Sequence, residues 1–169
     1  NRCSAPERYT DRRNRLPTII LSIALAPVVS TAAAFDINGS FEQGDGNRPA
    51  QWKLSGGEGA WETDAHSGSR CISVTGDGKS SNYWKCDIAL EPGKTYRIEF
   101  STRGSADADG NVISGTNCCN MDWRPTPEWT RHSFFFRAAE GEFGRYLKFG
   151  QWHAKGTIYF DDVRIDEVQ

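Results

Sequence analysis

The chain has 169 residues, the size of one domain with a sizeable core. Six Trp, five Tyr and nine Phe, with 17 Gly and a single Met, suit a sheet protein with many turns better than a helical bundle. The formal charge of −2, with no long Lys/Arg block, argues against a polyanion partner and excludes nucleic acid as an expected ligand.

Residues 1–34 read as a secretory signal. Arg8, Arg12, Arg13 and Arg15 form a basic stretch, an apolar run follows from Leu16 to Val29, and Ser30 to Ala34 are small residues that a signal peptidase could cut. The apolar run is short for a bilayer span and is broken by Pro17 and Pro27, so a retained membrane anchor is the weaker reading. Cleavage after Ala34 predicts an exported domain, extracellular or periplasmic, over residues 35–169. Removing five Arg, Glu7 and Asp11 leaves 15 basic and 20 acidic residues, a net charge of −5. Cys71, Cys86, Cys118 and Cys119 remain, and export makes disulfides permissible among them. Three pairings are open. A Cys71–Cys86 bridge requires a hairpin of 70–75 with 83–90, whose register conflicts with the faces of those strands.

Strand-like segments fill the rest: 35–38, 51–55, 59–63, 70–75, 83–90, 94–102, 117–122, 130–138, 146–152 and 156–168. Turns rich in Gly, Asp and Asn separate them, among them 76–79 and 107–111. Short strands at regular spacing predict an all-β fold, a two-sheet antiparallel β-sandwich. Alternation assigns the faces. Tyr96, Ile98 and Phe100 point inward, and so do Trp84 and Cys86, Phe134 and Phe136, and Leu147 and Phe149. If these strands share a sheet, one outer face carries Tyr83, Lys85, Glu99, Arg103, Phe135, Lys148 and Trp152. Aromatic faces suit the C–H surface of a sugar ring, and Arg, Lys and Glu suit its hydroxyls. Trp152 leads this candidate site, followed by Arg103 and Tyr83, with Lys85 and Glu99 beside them and Trp123 reaching in from a loop. Trp52, Trp84 and Trp129 are read as core.

Several landmarks then occur in order. Asn38-Gly39-Ser40-Phe41-Glu42 is followed by Pro49 and Trp52, then by His66-Ser67-Gly68-Ser69, Pro92-Gly93-Lys94-Thr95-Tyr96, Trp129-Thr130-Arg131, and Tyr159-Phe160-Asp161-Asp162-Val163. Together they resemble the carbohydrate-binding modules with a galactose-binding-like jelly roll, the calcium-containing type that binds cellulose or xylan. The resemblance implies a module that binds a polysaccharide or oligosaccharide; the expected form is a monomer, free of the membrane once the signal is cut. It also implies a structural Ca²⁺ held by Glu42 and Asp161, or Asp162 in its place, with a backbone carbonyl such as that of Ser40.

No catalytic constellation is evident. His66, His132 and His153 complete no metal or nucleophile motif, and no Gly-x-Ser-x-Gly elbow occurs. Asp87 with Glu99 is the pair that a polysaccharide lyase or hydrolase on this fold would use. A non-catalytic glycan-binding module is the expected function. The alternatives are that enzyme and a surface adhesion or assembly domain that uses the same face for protein.

Overall fold

Alternating sequence becomes alternating structure. The computed structural model describes residues 35–117, 119–139 and 146–168, and the regular elements among them are all strands. They are β1 (Gly44–Asp45), β2 (Arg48–Pro49), β3 (Trp52–Ser55), β4 (Glu58–Glu62), β5 (Cys71–Asp77), β6 (Ser81–Asp87), β7 (Thr95–Gly104), β8 (Asp109–Thr116), β9 (Asn120–Trp123), β10 (Thr130–Arg137) and β11 (Tyr146–Val168). The expected secretory signal, residues 1–34, lies outside the described residues.

Two five-stranded antiparallel sheets make the sandwich, and β11 is the middle strand of both. Its first part, Tyr146 to Trp152, lies between β6 and β8, giving the order β3-β6-β11-β8-β9. Its second part, Lys155 to Val168, lies between β5 and β7, giving β10-β7-β11-β5-β4. The strand turns from one sheet to the other around His153 (φ 51°) and Gly156 (φ 77°). There Ala154 is fully buried and its carbonyl accepts a hydrogen bond from the Gly78 N–H at 2.8 Å.

The core fills the space between the sheets. Trp52, Trp84 and Cys86 come from one side, Phe149 and Leu147 join them from β11, and Ile98, Phe100, Phe134, Phe136 and Phe160 come from the other. Phe100 lies 5.1 Å from Phe149 and 6.4 Å from Phe160, so one ring touches both parts of β11. These are the residues that alternation turns inward. Phe135 is 61% exposed, as its parity requires.

Three expectations need correction. Residues 35–38 form no strand, although Phe35 packs edge-on against Tyr96 at 5.8 Å. The segments 146–152 and 156–168 are one bent strand, because the turn between them keeps its ladder partners. Strand β8 begins within 107–111, which reads as a turn, and continues through 112–116, which reads as no strand. Its inward side chains include Ser114 and Thr116, both fully buried, and such polar residues mask the two-residue apolar period. Ser114 is satisfied by donating to the Met121 carbonyl at 3.1 Å while accepting from the Trp123 indole at 2.9 Å.

Candidate functional site

The outer face of the β3-β6-β11-β8-β9 sheet carries the aromatic and polar groups suited to a ligand. Core residues alternate with its members along β3, β6 and β11, so the face follows from the same period that builds the core. Register sets the rows across it. Ser81 stands opposite Trp152, and Trp152 opposite Asn111. Ser55, Tyr83, Gly150, Ile113 and Asp122 form the next row. Lys53, Lys85, Lys148, Gly115 and Asn120 form the third, and Asp87 beside Tyr146 closes the face.

Trp152 is 55% exposed, a large ring offered to solvent at one end of the face, and His153 stacks against it at 4.8 Å. Between Tyr83 and Ile113 sits Gly150, where an added Cβ would meet the Asn82 carbonyl oxygen at 2.2 Å and the Tyr83 Cα at 2.5 Å. The floor of the face is therefore bare backbone there. Lys85 Nζ lies 5.7 Å from the Tyr146 ring centre and Lys148 Nζ lies 5.8 Å from that of Tyr83, both within cation–π range. Burial and the adjacent hydrogen-bonded Tyr83 hydroxyl hold the Tyr146 hydroxyl above the usual phenol range. Tyr146 was signalled by the same alternation as Lys148, two residues earlier in the strand. Asn111, Ile113, Asn120 and Asp122 were missed with β8.

Of the residues assigned from sequence, this face brings together Trp152, Tyr83 and Lys85. Arg103 and Glu99 lie instead on the outer face of the other sheet, because β7 pairs with the second part of β11 while β6 pairs with the first. There the Arg103 guanidinium pairs with Asp64 and lies 4.5 Å from the Tyr159 ring and 5.2 Å from the Trp129 ring. Glu99 pairs with Arg131 at 3.1 Å and with Arg97 at 3.6 Å. Asp87 and Glu99 thus stand on different sheets and do not face a common cleft.

Trp123 does not reach the face either. It lies on β9 opposite Val112 and turns inward, 4.2 Å from the His132 ring and 6.3 Å from Phe100. Trp52 and Trp84 are core, as expected. Trp129 is not: it covers the second sheet from outside, 5.5 Å from His66 and 6.5 Å from Tyr159.

The expected metal ligands gather around the loop 66–70. Asp161 is fully buried, and its Oδ2 accepts from the His66 and Ser67 N–H groups, both at 2.9 Å. Burial pushes its pKa above the usual carboxylate range, against the hydrogen bonds from the Ser67, Asp162 and His66 N–H groups. Asp162, at a bulge with φ 52°, accepts from the Ser67 hydroxyl at 2.6 Å and lies 2.6 Å from His66 Nδ1. From the other side Glu42 Oε1 accepts from Ser69 N–H at 2.8 Å and Arg70 N–H at 2.9 Å. Ser40 is exposed, close in sequence to Glu42. Three carboxylates therefore clasp one loop through its own backbone and side-chain donors.

Cys71 and Cys86 are free thiols, so the bridge between them is not formed. Their strands are not a hairpin: β5 pairs with β4 and β11, and β6 with β3 and β11. Cys86 points into the core opposite Trp52, while Cys71 stands opposite Glu62.

Residues 35–116, just under half of the chain, match the family model described as a carbohydrate binding domain. No curated protein matches the sequence. Among solved structures, the chain is similar to the CBM22-1 xylan-binding domain from Paenibacillus barcinonensis Xyn10C. The identity is 16%, the match covers 82% of this chain and 97% of that one, and the TM-score is 0.60. TmCBM61 in complex with β-1,4-galactotriose is 18% identical, with 81% and 100% covered and a TM-score of 0.55. The N-terminal cellulose-binding domain from Cellulomonas fimi β-1,4-glucanase C is 19% identical, with 73% and 92% covered and a TM-score of 0.53. At these identities the likeness establishes the fold, which is the β-sandwich of carbohydrate-binding modules.

Proposed function

We propose that this chain is a secreted, non-catalytic polysaccharide-binding module whose ligand lies on the outer face of the β3-β6-β11-β8-β9 sheet. The observation that carries the reading is the exposed Trp152 ring, in one row with Ser81 and Asn111 and next to the row of Tyr83, paired with two strands that lie within the carbohydrate binding domain match. An exposed indole supplies the apolar platform for a sugar ring, and the flanking Ser, Asn and Lys donors suit the hydroxyl rim. The similar structures named as xylan-binding, cellulose-binding and galactotriose-bound support a β-linked glycan as the ligand class. Secretion rests on the composition of residues 1–34. Affinity electrophoresis through xylan, glucan, mannan, galactan and alginate tests the reading. At least one polymer is expected to retard the protein, and Trp152→Ala to lose that retardation without a change in melting temperature. Free mobility in every polymer removes the proposal.

A structural Ca²⁺ at the loop 66–70 is the second part of the proposal. Glu42 and Asp161 supply hard carboxylate oxygens on either flank of this loop, the chemistry that Ca²⁺ selects. Glu42 Oε2 accepts no hydrogen bond from the described residues. Glu42, Asp161 and the Ser40 carbonyl would hold the ion, which would fasten residues 40–42 and the loop to the second sheet.

A further inference from the structure

Lys53, Lys85 and Lys148 stand side by side on three neighbouring strands. Lys85 is the register partner of both, Lys53 through the β3 pairing and Lys148 through the β11 pairing. The residues flanking each of them, such as Trp52, Trp84, Cys86, Leu147 and Phe149, are core, so all three side chains leave on the outer face. Neighbouring strands are about 4.8 Å apart, so the row spans roughly 10 Å.

Like charges directly opposite one another weaken an antiparallel pair. Proteins usually relieve such a row with a carboxylate, and this one does not. None of the three lysines pairs with an acidic group among the described residues, although Lys94, Arg97, Arg103, Arg124 and Arg131 each do. The acidic groups on the face are Asp87, beside Tyr146, and Asp122, beside Ile113 on the far side of Gly150. Two of the lysines are instead held over tyrosine rings, which keeps their positions while leaving ammonium N–H donors open. The row also runs against the charge of its surroundings, since residues 35–169 carry an excess of acidic groups.

Charge complementarity then selects the occupant. We infer that the glycan bound on this face is an anionic polysaccharide, whose carboxylate or sulfate groups meet Lys53, Lys85 and Lys148 while Trp152 and Tyr83 receive sugar ring faces. The inference rests on the glycan-binding reading of the same face and narrows its ligand class. It also differs from what the lysines' places in the sequence convey, because their separation along the chain forms no basic block.

Isothermal titration against paired β-linked polymers tests it: carboxymethyl cellulose with hydroxyethyl cellulose, polymannuronate with mannan, and xylan sulfate with xylan. At least one anionic member is expected to bind about tenfold or more tightly than its neutral partner. That binding should weaken about tenfold between 50 and 500 mM NaCl, as exposed charges are screened. The variant Lys53→Gln/Lys85→Gln/Lys148→Gln should lose the anionic preference and keep the wild-type melting temperature or exceed it. The carboxylated polymers and xylan sulfate separate a carboxylate ligand from a sulfated one. Equal or tighter binding of the neutral members overturns the inference and leaves the glycan reading standing, as does an anionic preference that survives the triple variant. Single-stranded DNA binding as tightly as the best anionic glycan also overturns it. Silence across all six polymers overturns the inference, and free mobility in the full electrophoresis panel as well removes the glycan reading.

Discussion

The Gln151 side chain donates its Nε2 to Asn82 Oδ1 at 2.6 Å, and both amides are buried. Gln151 also donates to the Ser80 carbonyl at 3.0 Å and accepts from the Ala154 N–H at 2.7 Å, while Asn82 donates to the Glu58 carbonyl. This pair pins the point where β11 leaves one sheet for the other. Gln151→Leu would strand the Ala154 N–H and the Asn82 oxygen in the interior, a loss on the order of 3 kcal/mol. Urea unfolding should show it, and a loss below about 0.5 kcal/mol would mean that the amide pair does not secure the bend.

The turn after β5 depends on a single carboxylate. Asp77 accepts from the Lys79 and Ser80 N–H groups, both at 2.8 Å, and from the Ser80 hydroxyl at 2.9 Å. The Ser80 and Lys79 N–H bonds, then the Ser80 hydroxyl, lower its pKa from 3.8 to about 2. Because the folded state lowers this pKa, its contribution to stability is complete above the ordinary value and is lost as pH falls through about 2. The melting-temperature gap between wild type and Asp77→Ala should therefore be full near about pH 6 and shrink as pH falls toward about 2. A gap that stays constant over this range would contradict the assignment.

Neither buried thiol should react in the native protein. Burial, then the charges of Asp161, Glu62 and Asp64, push Cys71 up to about 12, and burial with Asp87 pushes Cys86 up to about 11. At about pH 8 the Cys71 thiolate amounts to roughly one molecule in ten thousand. Iodoacetamide should leave the Cys71 and Cys86 peptides unmodified until denaturant is added. Rapid native alkylation of either peptide would show that its strand opens.

Calcium removal provides a test of the loop clasp. In metal-stripped buffer, adding Ca²⁺ should raise the melting temperature by about 4–8 °C, since an ion that binds only the folded state stabilises it by mass action. Asp161→Asn should abolish that increment. Identical melts with Ca²⁺ and with chelator would remove the ion from the proposal.

How far the sequence could be read depended on the kind of question. Alternation decides whether a side chain faces in or out, and it placed Tyr83, Lys85, Lys148 and Trp152 outside and Phe100, Phe134 and Phe149 inside. It says nothing about which of two outer faces a strand serves. That is decided by hydrogen-bonded pairing over long separations, and so Glu99 and Arg103 were grouped with a face that they do not join. Trp123 went astray for a related reason: its direction depends on pairing with Val112, in a strand whose buried Ser114 and Thr116 carry no apolar signal. The lysine row was illegible for the same cause, since Lys53, Lys85 and Lys148 become neighbours only through register.

One strand at the centre of two sheets has a kinetic meaning as well. Strands β5, β6, β7 and β8 each lack an inner partner until Tyr146–Val168 docks, and docking closes loops as long as the one from Ile72 to Phe160. So non-local an assembly belongs among the slow folders, in milliseconds to seconds. It also leaves no sheet able to persist without the other. The face bearing Trp152 and the clasp beneath Trp129 should melt as a single cooperative unit, so a probe on either reports the unfolding of both.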